Sequence, residues 1–462
     1  MTVPGNVLRN LFRGIQRLSK DARKPPAHIP RIIPRAEHAI SRKSISSAAL
    51  RVLYRLHEAG FAAFLVGGAV RDLLLGGHPK DFDIATDATP EQVKHLFRNC
   101  RLIGRRFRLA HVVFGPEIIE VATFRGHGAD GDREIVDGRI TRDNIWGSLE
   151  EDALRRDFRV NALYYNIADF SVRDDIGGMQ DLQDRVLRLI GDPEQRYRED
   201  PVRMLRAVRL AAKLDFSIDA AASTPFASLG PLLADAPSAR LFDESLKLFL
   251  AGHGLQSFRL LDHYGLLEHL YPVTARALAR DNAGGLRALI EQALANTDAR
   301  VAEDKSVTPA FLFAVLLWGE ARAQAEARIA AGDEPTLAWQ HAAARVVAEQ
   351  SDRVAIPRRF GTVMEEIWAL QPRFAQRARK RVFRLMSHPR FRAAYDFLLL
   401  RAAESPELAE LGAWWTDAQA QPPEQLAAAL DSGSLLADAE AAAPAKKRRR
   451  RSRRKKPAVA AD

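Results

Sequence analysis

Two aspartates, Asp81 and Asp83, flank a single aromatic residue, Phe82. Polar and apolar residues alternate from Asp81 to Ile84, a pattern that predicts a β-strand. Side chains at positions i and i+2 of a strand point to one face, about 6.6 Å apart along it, so the two carboxylates would meet with Phe82 buried behind them. Such oxygen ligands suit Mg²⁺, which shares its coordination shell with water and phosphate. Surface turns also contain Asp-x-Asp, and the motif taken alone favours that interpretation.

A glycine pair, Gly67-Gly68, lies upstream, between an apolar strand-like run that ends at Val66 and a segment with helical spacing. Glycines let the backbone approach a ligand closely, and the following helix offers free N–H groups and a positive dipole end to an anion. Arg71, one turn into that helix, is placed to reach a phosphate, and Asp72 is placed to hold the arginine. No Gly-x-x-x-x-Gly-Lys-[Ser/Thr] sequence is present. A phosphate cradle beside a metal-binding pair of acids predicts nucleotidyl transfer.

Glu120 is a candidate third acid. It lies among alternating apolar residues on the second strand of a predicted hairpin that turns at Gly115-Pro116. If this strand shares a sheet face with the two aspartates, Glu120 is a third metal carboxylate. A salt bridge at the strand edge is an equally good interpretation.

Arg156, Asp157 and Asn161 lie close together where a predicted helix leads into a predicted strand. An arginine can bind phosphate, and the amide and carboxylate oxygens can bind ribose hydroxyls. Salt bridges at the end of a helix would explain the same residues without a ligand.

Glu199, Asp200 and Arg203 open a helical stretch. Asp200 as N-cap, Pro201 at the first helical position and an i,i+4 pair between Glu199 and Arg203 account for them structurally. An aspartate acceptor beside arginine donors also matches the pairing edge of adenine or cytosine. Guanine and uracil have donor and acceptor exchanged on the pairing edge. They would leave a buried polar group of the site without a partner and would be rejected.

The chain of 462 residues has a formal net charge of +11 and one cysteine. Residues 446–456 contain ten Lys and Arg, so the rest of the chain carries 11 − 10 = +1. A tail of this kind is typical of disordered segments that bind phosphate backbones, although it can also serve only for solubility. The single cysteine excludes an internal disulfide and fits a reducing compartment. The longest apolar run has nine residues, too few to span a membrane.

Composition and periodicity divide the chain into five predicted parts. They are a flexible basic N-terminal arm (1–45), a region of mixed strands and helices (46–192), two helical regions (193–252 and 253–424), and an Ala-rich linker with a disordered Arg/Lys tail (425–462). The apolar and basic residues of the arm have amphipathic spacing, which suits a membrane surface, anionic RNA or an organellar presequence.

Four motifs in order resemble those of the class II nucleotidyltransferases, the family of the CCA-adding enzymes and the bacterial poly(A) polymerases. They are Gly67-Gly68-Ala69-Val70-Arg71-Asp72 with Asp81-Phe82-Asp83, Arg155-Arg156-Asp157 with Asn161-Ala162, Asp175 with Gly177-Gly178 and Asp181-Leu182, and Glu199-Asp200 with Arg203. Residues 102–109 and 395–401 and the basic extensions resemble the poly(A) polymerase branch, and that similarity covers roughly residues 28–405.

The resemblance implies an α+β fold: a catalytic polymerase-β-like head with a mixed β-sheet (46–192), then an all-α neck for base recognition and RNA binding (193–252) and an all-α body that binds RNA (253–424), followed by the basic tail. The implied site residues are Asp81 and Asp83 for Mg²⁺, Gly67, Gly68 and Arg71 for the triphosphate, Arg156, Asp157 and Asn161 for sugar and phosphate, and Glu199, Asp200, Arg203 and Arg206 for the base. The motifs do not include Glu120.

The implied reaction is template-independent, Mg²⁺-dependent addition of AMP from ATP to RNA 3′ ends, which would promote RNA turnover. CCA addition to tRNA is the alternative, since an Asp–Arg template admits C as readily as A, and a non-catalytic RNA-binding protein is a third. The expected partners are RNA 3′ ends, ATP and the RNA-degradation machinery, and the expected state is a cytoplasmic monomer.

Overall fold

The computed structural model describes residues 30–104, 108–126, 134–136, 139–142 and 146–432. The chain divides into two compact units, residues 1–272 with 298–305 and residues 273–297 with 306–462. Within the described ranges, no helix has the length and apolarity needed to cross a membrane.

The strands lie in the first unit. In chain order they are β1 (Arg31–Ile33), β2 (Ala63–Val66), β3 (Asp83–Thr86), β4 (Cys100–Ile103), β5 (Leu109–Phe114), β6 (Glu117–Thr123), β7 (Glu134–Val136), β8 (Arg139–Arg142), β9 (Leu163–Asn166), β10 (Val172–Asp174), β11 (Val186–Leu187) and β12 (Ser217–Ile218).

Eight of these strands form one sheet in the order β1-β10-β9-β2-β3-β6-β5-β4. β3 and β6 are parallel, whereas the other neighbours are antiparallel. The predicted mixed sheet is thereby confirmed. Two further pairs stand apart from it, β7 with β8 and β11 with β12.

The helices of the first unit are α1 (Ser47–Glu58), α2 (Gly68–Leu74), α3 (Pro90–Leu96), α4 (Leu149–Arg155), α5 (Gly178–Asp184), α6 (Pro193–Glu199), α7 (Val202–Leu214), α8 (Ala220–Ser223), α9 (Phe226–Leu229), α10 (Ser238–Phe249), α11 (Gly254–His263) and α12 (Leu267–Leu270).

Local sequence signals fix several of these ends. The Ser46 side chain accepts a hydrogen bond from the Ala49 N–H and caps α1. Thr89 and Gln92 form a reciprocal capping box at α3, where Pro90 occupies the first position. The predicted hairpin of β5 and β6 is present, and Gly115 turns it with a φ of +62°.

The sequence predicted that residues 30–45 belong to a flexible arm, but in the structure they are folded against the head. Arg31–Ile33 forms the edge strand β1, paired with β10. Ile33, Ile40 and Ile45 are buried, so apolar side chains hold this segment against the head. The rest of the predicted arm, residues 1–29, lies outside the described residues.

The second unit is helical. Its elements are α13 (Pro272–Ala279), α14 (Gly285–Ala302), whose end belongs to the first unit, α15 (Pro309–Ala330), α16 (Pro335–Arg353), α17 (Arg358–Leu370), α18 (Arg379–Met386), α19 (Phe391–Arg401), α20 (Pro406–Ala420) and α21 (Pro423–Ser432).

The Ala-rich linker predicted from residue 425 begins with folded structure instead. Leu426 and Leu430, one turn apart on α21, are buried in a cluster around Trp415 and Phe374. These two leucines give the alanine-rich segment an apolar face. The Arg/Lys tail lies outside the described residues.

Candidate active site

The glycine turn joins β2 to α2. Gly67 has φ +75° and ψ −136°, a conformation that favours glycine, and α2 begins at the next residue. A Cβ atom on Gly67 would lie 3.6 Å from Arg156 Nη1, and one on Gly68 would lie 3.4 Å from Arg71 Nη2. Two guanidinium groups therefore border the turn, which makes it suitable for an anion.

The acids lie at the same end of the sheet as the turn. Val66, the last residue of β2, pairs with Asp83, the first residue of β3. Asp81 precedes the strand, so the predicted strand starts two residues later than expected. Both carboxylate residues are exposed and Phe82 between them is buried, as the alternation predicted.

Glu120 of β6 is the partner of Asp83 across the parallel pair. The condition on which a third acid depended, a sheet face shared with Asp83, is therefore met. On its other side Glu120 faces His111 of β5, with 3.4 Å between His111 Nε2 and Glu120 Oε2. Within the described residues, no group of three or more His, Cys, Asp and Glu side chains is arranged to hold a metal ion.

The electrostatics of this end of the sheet favour a cation. Asp83 stays exposed to solvent, yet the protein atoms packed around it raise its pKa to about 6. The negative charges of Glu120 and Asp81 raise the pKa further, and Arg156 opposes them. Among the residues that the structure describes, Arg156 therefore opposes only part of the negative charge around Asp83.

Arg156 is held by two side chains of the head. Its guanidinium donates to Asp152 Oδ2 at 2.9 Å and to the Tyr164 hydroxyl at 2.9 Å, and that hydroxyl donates to Asp152 at 2.7 Å. Burial opposes the charge of Arg156, but Tyr164 and Asp152 outweigh it and raise the pKa of Arg156. Nη1 makes none of these bonds and lies beside Gly67.

Arg71 is buried and bonded to two side chains of the head, and its predicted contact with a phosphate stays a prediction. It pairs with Asp72 at 2.7 Å, as predicted for that acid, and Nη1 donates to Asn161 Oδ1 at 2.6 Å. Lys213 of α7 also binds Asp72, at 2.8 Å. In this structure Arg71 therefore fixes the back of the glycine turn.

Asp157 and Arg206 join the head to α7. Arg206 Nε donates to Asp157 Oδ2 at 2.8 Å, and Asn161 Nδ2 lies 3.4 Å from Asp157 Oδ1. Burial disfavours the Asp157 charge, but the Arg206 guanidinium outweighs it and holds the pKa of Asp157 below its ordinary value. Asp157 and Asn161 thus lie in one network that also reaches Arg71.

The glycine motif after Asp175 has a structural role. The neighbouring Asp174 carboxylate accepts four backbone N–H groups at 2.8–3.1 Å, and Asp175 pairs with Arg173. A Cβ on Gly178 would lie 2.4 Å from the Arg159 carbonyl oxygen, so only glycine fits there. The motif builds the start of α5.

The residues predicted for base recognition are held by ion pairs at the start of α7. Glu199 does form the predicted i,i+4 pair with Arg203, at 3.2 Å, and also pairs with Arg196 at 3.0 Å. Asp200 instead forms a bidentate pair with Arg240 of α10, at 2.8 and 2.7 Å. Helix α7 begins after Pro201, one position later than predicted, and Asp200 Oδ1 accepts the Val202 N–H at 3.2 Å.

Arg240 was missed because its helix begins far along the chain and no local motif surrounds it. Its only sequence signal is a basic residue near the start of an amphipathic helix. The structure therefore adds Arg240 to the candidate site, as the residue that holds Asp200.

Comparison with solved structures identifies the class of protein. The Bacillus stearothermophilus CCA-adding enzyme in complex with CTP is 27% identical, covers 85% of this chain and 82% of its own, and has a TM-score of 0.53. The chain therefore has the fold of a nucleotidyltransferase, and the predicted α+β head followed by a helical body is confirmed.

Sequence relatives give the family. Poly(A) polymerase I of Salmonella typhi is 54% identical over 407 residues, 85% of this chain and 87% of its own. The Lactobacillus helveticus CCA-adding enzyme is 37% identical over 212 residues, 46% of this chain and 52% of its own. The chain belongs to the poly(A) polymerase family, and the CCA-adding enzymes are more distant relatives.

Three family descriptions also match parts of the chain. They are "Poly A polymerase head domain" at 63–188, "Probable RNA and SrmB- binding site of polymerase A" at 215–278, and "Polymerase A arginine-rich C-terminus" at 331–456. The prediction of an enzyme that transfers nucleotides is thus confirmed, and the role of each residue stays a prediction.

Proposed function

We propose that the chain adds AMP from ATP to the 3′-hydroxyl of RNA without a template strand. The observation that carries the proposal is the register of β2, β3 and β6, which sets the glycine turn beside Asp83 and Asp83 beside Glu120. An anion site and a group of acids thereby share one end of the sheet. The similarity to poly(A) polymerase I supports the choice of ATP and RNA as substrates.

The acids fit a divalent cation. Burial and neighbouring negative charge raise the pKa of Asp83, so a cation beside it would relieve the repulsion. Carboxylate oxygens are preferred ligands of Mg²⁺, which takes few protein ligands and keeps water and phosphate oxygens. We assign Asp81 and Asp83 as the ligands and Glu120 as a supporting acid. Mg²⁺ bound there would neutralise triphosphate charge and favour ionisation of the attacking hydroxyl.

The protein's own groups position the reactants. Backbone N–H groups of the glycine turn and Arg156 Nη1 would bind the triphosphate, with Arg71 fixing the turn behind them. The RNA 3′-oxygen forms a bond to the α-phosphorus, the bond from that phosphorus to the bridging oxygen breaks, and pyrophosphate leaves with the electron pair. This chemistry depends on alignment and charge neutralisation more than on a protein nucleophile.

Base selection rests on Asp200 and the arginines around it. The Asp200 carboxylate would accept the adenine amino group, and Arg203, braced by Glu199, would donate to the ring nitrogen. Arg240 holds both Asp200 oxygens, so the acceptor has one fixed orientation. A fixed acceptor discriminates between bases better than a mobile one.

Purified full-length chain, incubated with an RNA primer, Mg²⁺ and either ATP or CTP, tests the proposal. We expect long tails from ATP alone on several unrelated primers. Addition limited to a CCA end on tRNA would overturn it in favour of the CCA-adding activity. No incorporation of either nucleotide would leave only RNA binding.

We also propose that the chain acts in the cytoplasm as a monomer and that its tails promote RNA turnover. The single cysteine suits a reducing compartment. A single-stranded tail offers exonucleases a place to bind, which makes RNA-degradation enzymes the expected protein partners. Light scattering should give the 51.4 kDa mass of one chain; twice that mass would contradict the monomer.

A further inference from the structure

A cleft of about 520 Å³ opens in the second unit, outside the site described above. It is bordered by the start of α16, the segment that follows α17, and α18. The polar side chains that line it are Glu334, Thr336, Arg373, Gln376, Arg381, Arg384 and His388. This volume lies within the range of about 300–1,000 Å³ that holds small ligands.

Three arginines around this cleft lack acidic partners. Arg373, Arg381 and Arg384 are exposed and form no ion pair with any residue that the structure describes. Two nearby arginines, in contrast, are neutralised: Arg390 pairs with Glu366 at 2.7 Å and Arg392 with Asp396 at 3.0 Å. The cleft therefore carries positive charge that no acidic side chain of the described residues neutralises.

Glu334 is the one acid among the lining residues, and it is already engaged. Its carboxylate accepts the Leu337 N–H and the Thr336 hydroxyl, both at 2.9 Å, where it caps α16. It therefore forms part of the helix start and leaves the arginines unneutralised.

The cleft is preformed because its inner wall belongs to the core. Trp339 is 8% exposed and stacks on Trp318, with 5.3 Å between the ring centroids and 13° between the planes. Leu385, between the two arginines of α18 and His388, is also buried. A ligand would meet a rigid apolar wall with cationic groups at its rim.

We propose that this cleft binds one or two nucleotides of single-stranded RNA, at a site separate from the one in the first unit. The inference rests on the proposed function for the identity of the ligand. Planar guanidinium groups bind phosphates in a bidentate manner, while Gln376 and the edge of Trp339 suit a base. A duplex is too wide for a cleft of this volume, which favours an unpaired strand.

The test compares two double variants of the full-length chain. Arg381→Ala with Arg384→Ala removes two charges from the cleft. Arg359→Ala with Lys380→Ala removes two charges from exposed positions on α17 and α18 that do not line it. Binding of a labelled 20-nucleotide single-stranded RNA is followed by fluorescence anisotropy at several salt concentrations, with thermal unfolding as a check of the fold.

We expect the cleft variant to bind about tenfold more weakly at 0.1 M salt and its salt slope to fall by about 1.4, that is about 0.7 for each of two lost phosphate contacts. The control variant should stay within twofold of the parent in affinity. Equal affinity of the two variants for RNA would overturn the proposal. The cleft variant is also tested with a poly-glutamate peptide, and weaker binding of that peptide with unchanged RNA binding would show a site for acidic peptides instead.

AMP incorporation by the parent chain is measured separately. If the parent chain polymerises and the cleft variant binds RNA normally, RNA binding by the cleft is refuted and the proposed function stands. A parent that does not polymerise, with RNA binding lost in the cleft variant, refutes the proposed function and leaves the cleft standing.

Discussion

Replacing Arg240 by alanine should weaken the selection of ATP over CTP. Both oxygens of Asp200 are held by Arg240, at 2.8 and 2.7 Å, and the remaining contact is the Val202 N–H at 3.2 Å. Without the guanidinium, the carboxylate can rotate about its side-chain bonds. The acceptor would then suit the smaller pyrimidine as well as adenine.

The exposure of the pair sets the size of the effect. Hydrogen bonds between charged groups contribute about 1.5–3 kcal/mol when buried. The Arg240 side chain is 48% exposed and that of Asp200 is 21% exposed, so water screens the pair and about 1 kcal/mol is the better value. At about 1.4 kcal/mol per factor of ten, kcat/KM for ATP should fall about fivefold, and the ATP-to-CTP ratio should fall by the same factor.

Primer extension with each nucleotide under single-turnover conditions measures both quantities. Arg198→Ala is the matched control, since it breaks an exposed pair with Glu194 on α6, at 2.7 Å, and should change neither value more than twofold. Arg240→Lys should recover part of the selectivity. An Arg240→Ala variant with the parent's kcat/KM and ratio would refute the role of this pair in base recognition.

Other measurements address the acids and the tail. Asp83→Asn should lower AMP incorporation on the order of 10³-fold and change RNA affinity less than twofold; retained activity would mean that the metal assignment is wrong. Burial and the charges of Glu120 and Asp81 raise the pKa of Asp83 to about 6. At low Mg²⁺, kcat/KM for ATP should therefore decline as the pH drops through 6. A higher Mg²⁺ concentration should move this decline to lower pH. Because the folded state binds this proton more tightly than the unfolded chain, the stabilisation from Asp83 is present at low pH and is lost as the pH rises through about 6. Asp83→Asn should therefore unfold at a higher temperature than the parent at pH 8, by about 2 °C, and an equal or lower midpoint would contradict the raised pKa. Deletion of residues 446–456 should weaken RNA binding at moderate salt more than it slows single-turnover chemistry, and an unchanged salt slope would exclude the tail as an RNA contact.

Motifs whose physics is local could be predicted from the sequence. The turn at Gly67 and the caps at Ser46 and Thr89 each depend on a few adjacent residues. The alternation around Phe82 likewise gave the exposure of the two aspartates, although Asp81 precedes the strand. Such features require no knowledge of the rest of the fold.

Features that depend on distant pairing could not be predicted in the same way. The Asp200–Arg240 pair joins residues on either side of α7, and nothing near either residue indicates the other. β1 forms only because β10 offers it a sheet edge. The hydrogen bond between Arg71 and Asn161, which are 90 positions apart, is likewise not indicated by any local motif.

The parallel pairing of β3 and β6 limits where this chain can gain or lose residues without moving Glu120. Side chains alternate across a strand, so one inserted or deleted residue within β6 would turn Glu120 into the core and present Ile119 or Val121 to Asp83. Added residues in the β5–β6 turn or beyond β4 would leave that pairing in place. New surface for different RNA substrates can therefore be gained at the margin of the head, while the centre of the sheet must keep its residue count.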